Sequence, residues 1–226
     1  MINDTKLFVV PTPIGNLDDI TIRAIETLKS SNLILSEDTR HAKKLLTHYK
    51  INTKINSYHL NNEHKKVDQY IDLMASGKII SLITDAGTPC ISDPGFLLVR
   101  EAIKRNISIT CLPGPTALIP ALVLSGLPSE SFIFEGFLPR KKGRKAKLIE
   151  ISQNKSTTII YESPFRIIKT LSDLQEYLGQ DRQISLSREI SKIFEETFRG
   201  KIVEAIDHFI GNQIKGEFVI CIDRMQ

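Results

Sequence analysis

Five short segments of the chain combine glycine, proline and polar residues in a way that suits ligand binding. Each follows a strand-like run, and together they are PTPIGN at 11–16, EDTRH at 37–41, HLNN at 59–62, DAGTPCISDPG at 85–95 and PGPT at 113–116. Glycine lets a ligand approach the main chain closely, and proline stiffens the surrounding loop. The pattern predicts a ligand read by main-chain amides and carbonyls, although glycine and proline also mark ordinary turns.

Two adjacent carboxylates, Glu37 and Asp38, belong to the second of these segments. A carboxylate beside a bound substrate accepts a proton, so the pair is our candidate for a catalytic base. Arg40 would orient the two carboxylates or hold a phosphate. Asp38 also precedes ThrArgHis at the expected start of a helix, where aspartate is a common cap of the first turn. The catalytic and capping interpretations of Asp38 both remain open.

A strongly basic run lies in the second half of the chain, where residues 140–147 read RKKGRKAK. No acidic residue interrupts the run, although the formal net charge of the whole chain is only +4. Such a segment is a candidate contact for a polyanion, and the alternative is a solvated loop. The predicted phosphate contacts are Arg140, Lys141, Lys142, Arg144 and Lys145.

Several other chemistries lack the residues they require. The chain contains neither GxGxxG after its first strand nor GxxxxGK[ST], so a dinucleotide fold or a P-loop is not supported. Its five histidines and three cysteines have no metal-ligand spacing, and no serine or cysteine stands in the context of an activated nucleophile. We therefore expect neither a metal site nor covalent catalysis.

The elements that position these segments alternate in type. Strand-like runs such as KLFVVP and KIISLITD are separated by amphipathic helical stretches through the first half, which predicts a parallel sheet. In such a sheet the loops that follow the strands meet at one edge. A less regular series from about Ser131 predicts a second α/β domain with a mixed sheet. We place the domains at 1–117 and 118–226, with a ligand cleft between them.

Length and composition set broader limits. The chain has 226 residues, 41% of them hydrophobic, which is enough for a proper core without disulfides. Its first apolar run, Leu7 to Val10, is too short for a signal peptide, and no stretch approaches the roughly 20 apolar residues that cross a bilayer. A cytoplasmic protein without a membrane span is expected.

Longer strings in the sequence carry a family resemblance. In order they read VPTPIGNLDDIT, SEDTRH, ITDAGTPCISDPG, LPGPTALIPAL, FEGFLPRKKGRK, IIYESPFRI and SREISKIFEETFRG. The chain resembles, over nearly its whole length, the ribosomal RNA methyltransferases of the tetrapyrrole methylase superfamily. The resemblance implies two α/β domains, a homodimer, S-adenosyl-L-methionine in the interdomain cleft, and 2′-O-methylation of a cytidine in small-subunit (16S) ribosomal RNA, either free or in a ribosomal particle.

Two other functions are compatible with such a fold, because fold does not fix function. One is methylation of a tetrapyrrole, and the other is an RNA-binding module without catalysis. The basic run favours a phosphate backbone over a tetrapyrrole carrying a few carboxylates. Intact glycine and proline loops argue against a module that only binds RNA.

The resemblance also implies roles for individual residues. Tyr161 and Glu162, at the end of a strand in the second domain, would close the cofactor site from the other side. Apart from the resemblance, we expect Arg166 and Arg188 to face the cleft from the second domain and to clamp the target nucleotide, and we group Arg188 with the catalytic residues. The remaining implied cofactor contacts are Pro11, Thr12, Pro13, Gly15, Asp85, Gly87, Thr88, Ile91, Gly114, Thr116 and Ala117.

Overall fold

The computed structural model of the chain describes residues 4–210 and 214–225. The chain divides into two compact units, Met1–Thr116 and Ala117–Gln226, so the division falls one residue before the predicted domain boundary. Each unit has its own sheet and its own apolar core.

The first unit is a parallel α/β sheet, as the alternation of elements predicted. Its strands are β1 (Leu7–Val9), β2 (Leu33–Ser36), β3 (Ile55–Ser57), β4 (Ile80–Ile83) and β5 (Ile109–Cys111). They lie in the order β3-β2-β4-β1-β5, and every adjacent pair is parallel. The helices are α1 (Ile22–Ser30), α2 (Thr39–His48), α3 (Glu63–Ala75) and α4 (Phe96–Lys104), with a 3-10 turn at Leu17–Asp19.

The helices of the first unit cover both faces of its sheet because successive strand residues point to opposite sides. Leu7, Leu35 and Leu82 belong to the core that contains α3 and α4. Phe8 and Ile34 belong to the core that contains α1 and α2. The sheet is therefore buried on both sides, as parallel sheets generally are.

One detail of α1 differs from the sequence pattern. The spacing of Ile22, Ile25 and Leu28 predicts that the three share an apolar face, but Ile22 is 77% exposed. The buried residues of the helix include Ala24 and Leu28. Ile22 is the first helical residue, directly after the capping Thr21, and therefore lies at the end of the buried stripe.

The second unit contains a mixed sheet, also as predicted. Its elements are α5 (Leu118–Ser125), β6 (Phe132–Phe137), α6 (Arg144–Gln153), β7 (Thr157–Glu162), α7 (Ile167–Leu178), β8 (Gln183–Arg188), β9 (Glu196–Lys201), α8 (Ile202–Phe209) and β10 (Phe218–Ile222). The strand order is β6-β7-β10-β8-β9. β6 and β7 are parallel, and the remaining pairs are antiparallel.

The core of the second unit lies between this sheet and α6, α7 and α8, with Ile160, Leu186 and Ile220 at its centre. α5 packs against β8 and β10. The sequence pattern missed β9, whose sequence ETFRGK lacks apolar alternation because it is a partly exposed edge strand. Among the helices of the described residues, none is long and apolar enough to cross a membrane.

Candidate active site

The five loops predicted to bind a ligand follow β1, β2, β3, β4 and β5, and the parallel sheet brings all of them to its carboxyl edge. β1 and β4 are neighbours. The loop after β1 leads to α1 on one face of the sheet, whereas the loop after β4 leads to α4 on the other. Loops that part in this way leave a crevice at the carboxyl ends of the strands, which is where open α/β sheets bind ligands.

The loops after β1 and β4 are joined at their bases. The Thr12 amide donates to the Gly87 carbonyl at 2.9 Å, and the Gly87 amide donates back to Thr12 at 2.9 Å. The Thr12 hydroxyl donates to the Thr84 carbonyl at 3.0 Å, and the Thr88 hydroxyl donates to the Pro115 carbonyl at 2.9 Å. Two of the three predicted threonine contacts, Thr12 and Thr88, therefore use their hydroxyls to hold the loops together.

Different structural constraints act on the glycines of these loops. Gly87 has a φ of +84°, a conformation that other residues rarely adopt. Gly114 does not have a positive φ, but a Cβ there would lie 2.7 Å from Pro11 Cβ. Gly15 is not among the glycines with a positive φ, so its predicted cofactor contact does not rest on an unusual backbone conformation.

The other predicted cofactor contacts in the first unit lie on the same loops. Asp85 and Ile91 are exposed in the loop after β4, Pro13 is half-buried after β1, and Thr116 is half-buried after β5. Ala117 is half-buried and precedes α5 as the first residue of the second unit.

Glu37 occupies the carboxyl end of β2, next to β4. Burial, and then the negative charge of Asp85, raise the pKa of its carboxyl above the usual range. The Thr84 hydroxyl donates to Glu37 Oε2 at 3.4 Å, which opposes the rise only weakly. A carboxylate with a raised pKa is a stronger base, and perturbed carboxyls in crevices are typical of acid–base sites.

Asp38 has the opposite character. It caps α2 by accepting the Arg40 amide at 2.8 Å, and the Arg40 guanidinium grips both of its oxygens at 2.6 to 3.1 Å. The Arg40 hydrogen bonds hold the pKa of Asp38 well below its usual range. Its amide donates to Asp85 Oδ1 at 3.1 Å, while His41 Nδ1 lies 3.5 Å from Asp85 Oδ2. This geometry favours Glu37 as the base and Asp38 as the cap.

A buried polar network occupies the second unit and changes the interpretation of two predicted site residues. Glu162, predicted to contact a cofactor, has a fully buried side chain that pairs with Arg166 at 2.7 Å and accepts the Thr170 hydroxyl at 2.7 Å. Arg144, predicted to contact phosphate, is 8% exposed. Its guanidinium bonds to Asp173 at 2.7 Å and to the Thr170 hydroxyl at 2.9 Å.

These partners show what the two side chains do in the structure, and both predictions stay predictions. The carboxylate of Glu162 is committed to its neighbours in the second unit, and the guanidinium of Arg144 is removed from the surface. Arg166, predicted to clamp a nucleotide, is also fastened locally, because it donates to the Leu138 carbonyl at 3.2 Å besides pairing with Glu162. The Arg166 side chain is only 22% exposed.

The rest of the basic run is at the surface, as predicted for a polyanion contact. Arg140, Lys141, Lys142 and Lys145 are exposed, and among residues 4–210 and 214–225 none of the four has an ion-pair partner. Lys147 is different, since it bonds to Glu135 at 2.8 Å and to Glu150 at 2.9 Å. Four neighbouring charges therefore remain available for an anionic ligand.

Tyr161 and Arg188 stand at the carboxyl ends of β7 and β8. Tyr161 packs edge-on against Phe134 and Phe137, with centroid distances of 4.9 and 5.8 Å. Arg188 pairs with Glu196 at 3.1 Å, and its Nε is buried without a hydrogen-bond partner in the structure. A buried N–H left in this way can donate a hydrogen bond to an acceptor atom of a polar ligand.

A family model that matches most of the chain identifies its family. The family model described as Tetrapyrrole (Corrin/Porphyrin) Methylases matches residues 6–206. The chain belongs to the tetrapyrrole methylase family.

Its relatives within the tetrapyrrole methylases are named for a ribosomal RNA activity. The protein named Ribosomal RNA small subunit methyltransferase I from Synechocystis sp. is 46% identical, covering 96% of this chain and 78% of its own length. The proteins of that name from Vibrio cholerae and Thermotoga maritima are 48% and 43% identical over 96% of this chain, covering 76% and 97% of their own lengths.

Solved structures agree on the tetrapyrrole methylase fold. The methyltransferase CobJ has a TM-score of 0.72 at 16% identity, covering 98% of this chain and 95% of its own. A cobalt precorrin-4 methyltransferase has a TM-score of 0.68 at 16% identity, covering 96% and 94%. The TM-scores indicate a common fold, and sequence identities this low carry no information about the substrate.

The sequence did not predict the contacts of several residues of this tetrapyrrole methylase. Thr84 ties together Thr12 and Glu37, and its one sequence signal is a polar residue directly after a buried strand. Thr170 and Asp173 give no signal, because they lie within the amphipathic pattern of α7. Over the described residues, no group of three or more His, Cys, Asp or Glu side chains is arranged to hold a metal ion.

Proposed function

We propose that this chain uses S-adenosyl-L-methionine to methylate the ribose 2′-oxygen of a cytidine in small-subunit ribosomal RNA. The observation that carries the proposal is the likeness, at 43 to 48% identity over 96% of the chain, to proteins named Ribosomal RNA small subunit methyltransferase I. The exposed basic residues after β6 support an RNA substrate over a tetrapyrrole. We also infer a homodimer that works in the cytoplasm.

The crevice of the first unit fits a methyl donor of this kind. S-adenosyl-L-methionine supplies an electrophilic methyl group when bound. Glycine and proline main chain borders the crevice, which suits an amino acid and a nucleoside recognised by amides and carbonyls. Half-buried Ile14 and exposed Ile91 provide apolar surface for a base. Thr116, whose Cα lies 4.0 Å from an ideal Cβ on Gly87, would lie beside this surface.

Glu37 would hold the proton that leaves the 2′-hydroxyl as the oxygen attacks the methyl carbon. Its raised pKa makes its carboxylate a stronger acceptor than Asp38, whose charge is held by Arg40. A positioned base contributes roughly 10²- to 10⁴-fold to a rate. Alignment of the two reactants contributes more, about 7 to 11 kcal/mol, so the loops that fix their positions matter most.

Arg140, Lys141, Lys142 and Lys145 would position the RNA through its phosphates. Contacts of this kind set affinity and orientation but do not select bases. Arg188, with its unpartnered Nε, would hold the target nucleotide from the end of β8.

Mass spectrometry of ribosomal RNA from a strain lacking the gene tests the proposal most directly. We expect one cytidine of the small subunit to lose its 2′-O-methyl group and to regain it when the gene is restored. Purified protein should transfer labelled methyl from S-adenosyl-L-methionine to RNA of the deletion strain. An unchanged methylation map, or transfer to uroporphyrinogen instead of RNA, would overturn the proposal.

A further inference from the structure

The topology of the second sheet brings three loops to one edge. β6 and β7 are parallel, and β7 and β8 both run antiparallel to β10, so β6, β7 and β8 all point the same way. The segments 138–143, 163–166 and 189–195, which follow these strands, therefore share an edge. We call it the loop edge of the second unit.

Two tight turns on the loop edge present large apolar side chains. The Arg166 amide donates to the Ser163 carbonyl at 3.1 Å, which places Phe165 in the centre of one turn. The Glu195 amide donates to the Lys192 carbonyl at 3.1 Å, and Phe194 is central in the other turn, directly after Ile193. Central turn positions usually carry Gly, Pro, Asn, Asp or Ser, so phenylalanine in both is unusual.

The three apolar side chains of these turns are largely exposed to solvent. Phe165 is 96% exposed, Ile193 95% and Phe194 72%. Among the residues that the structure describes, neither phenylalanine ring pairs with another aromatic ring. Large apolar side chains exposed on loops of one sheet edge are candidates for a binding surface.

The turn that carries Phe194 is held in place by its own polar contacts. Lys192 Nζ bonds to Glu189 at 2.8 Å and to Glu217 at 3.1 Å, and the Ser191 amide donates to Glu195 at 2.6 Å. Glu189 and Ser191 have φ angles of +53° and +70°, which fix a sharply bent main chain. Because the turn is braced, Phe194 is presented in a defined position, and a ligand need not order the loop.

The charge of the loop edge indicates which kind of ligand it binds. Its first loop carries Arg140, Lys141 and Lys142, and Lys145 follows in the first turn of α6; all four are exposed. Cations that hold a phosphate backbone, next to aromatic rings that stack on bases, are the combination used to bind single-stranded nucleic acid. A second copy of this chain on the same edge would bring like charges together, which opposes that association.

We propose that Phe165 and Phe194 stack on unpaired bases of the RNA substrate while the basic residues of the loop edge hold its phosphates. This inference rests on the proposed function as an RNA methyltransferase and assigns the substrate class as unpaired RNA. Stacking is tolerant of sequence, because every base has an aromatic face. The two phenylalanines therefore select for unpaired structure, and other groups must select the target cytidine.

The test compares Phe165→Ala and Phe194→Ala with a control, Phe96→Ala. Phe96 is 65% exposed on α4 and belongs to none of the three segments of the loop edge, so truncating it removes a similar side chain from a different element. The probes are a fluorescein-labelled, mixed-sequence oligoribonucleotide without self-complementarity, and the same strand annealed to its complement. Affinity is measured by fluorescence anisotropy over a range of salt concentrations.

Each loop-edge alanine variant should weaken binding of the single strand by about 5- to 150-fold, which corresponds to the loss of one stacked base. The salt dependence should not change, since the phosphate contacts remain. Phe165→Trp and Phe194→Trp should bind as well as the wild type or better, whereas Phe165→Leu should bind like the alanine variant. Duplex affinity and the affinity of Phe96→Ala should be unaltered.

Equal single-strand affinity of the alanine variants and the wild type would overturn the stacking role while leaving the proposed function intact. If the alanine variants instead change the sedimentation of the protein without changing RNA affinity, the loop edge is an interface between copies and the inference is wrong. A wild-type chain that neither binds nor methylates RNA would overturn the proposed function and this inference together.

Discussion

Thr12 and Gly87 exchange two main-chain hydrogen bonds of 2.9 Å each across the carboxyl ends of β1 and β4. Because Gly87 has a φ of +84° and its ideal Cβ would point at Ile14 and Pro115, a side chain there would crowd the crevice between the loops. We expect Gly87→Val to weaken binding of S-adenosyl-L-methionine by about tenfold or more, close to 1.4 kcal/mol. Isothermal titration calorimetry measures the change.

Gly77 provides a matched control for this variant. It also has a positive φ, +96°, but a Cβ there meets nothing within 4 Å. Gly77→Val should therefore lose stability through backbone strain, as Gly87→Val does, and keep its ligand affinity. Equal ligand affinity in the two variants would remove the crevice from the proposed site.

Glu37→Gln should slow methyl transfer and stabilise the fold at the same time. The raised pKa means that the folded protein favours the protonated carboxyl, so Glu37 stabilises the fold below its unfolded pKa of about 4.3. That contribution is lost as the pH rises through the folded pKa. At neutral pH the neutral glutamine should raise the melting temperature while the single-turnover rate falls by roughly 10²- to 10⁴-fold.

The pH–rate profile separates a base from a structural carboxyl at this position. In the wild type the rate should rise with pH through the pKa of Glu37, and Glu37→Gln should lack that limb. A variant with the full rate at every pH would assign the proton to water. Because both proteins are compared at saturating RNA and cofactor, loss of binding does not imitate loss of chemistry.

Asp38→Ala should lower the melting temperature and leave the rate per folded molecule unchanged, since Asp38 caps α2 and pairs with Arg40. Its pKa is lowered, so its contribution is present above an unfolded pKa of about 3.9 and is lost as the pH falls through the folded value. Asp38→Asn can still cap the helix and should recover part of the loss at neutral pH. Thermal unfolding between acid and neutral pH checks this; a tenfold loss of rate would instead make Asp38 part of the chemistry.

Arg144 and Lys145 are adjacent in the basic run and should respond oppositely to replacement by methionine. Arg144→Met removes the partner of Asp173 from a mostly buried pair, so unfolding free energy should fall by about 3 kcal/mol with RNA affinity of the folded protein unchanged. Lys145→Met should leave stability unchanged, weaken RNA binding and reduce the slope of its salt dependence by about 0.7. Equal effects of the two variants on RNA binding would contradict the assignment of Arg144 to the interior.

The sequence predicted the sheets well because hydrophobic periodicity reflects burial directly. β1 and β4 are short apolar runs buried on both faces, and both were found. β9 was missed since an edge strand has little apolar pattern to detect. The parallel arrangement alone brings the five loops to the carboxyl edge of the first sheet, which is why the sequence was sufficient to predict that they share this edge.

Individual roles were harder to predict because they depend on distant partners. Arg144 resembles its basic neighbours in the sequence, but its hydrogen-bond partner Asp173 lies 29 positions further along the chain. Gly15 and Gly87 looked equivalent, and only Gly87 has a backbone that requires glycine. Glu37 and Asp38 are adjacent carboxylates whose pKa values move in opposite directions, because burial and then Asp85 raise the pKa of Glu37 while hydrogen bonds from Arg40 lower that of Asp38.

The buried network around Thr170 limits how this chain can be recombined with its relatives. Glu162 from β7, Arg144 from α6 and Thr170 from α7 bond within one cluster, so three separate stretches of sequence must be compatible. A chimera that imports a foreign basic segment at 139–146 without a matching residue at Asp173 would bury a lone charge. Lys141 and Lys142 are exposed and have no such dependency, so their side chains can vary freely, whereas Arg144 can change only together with its partners.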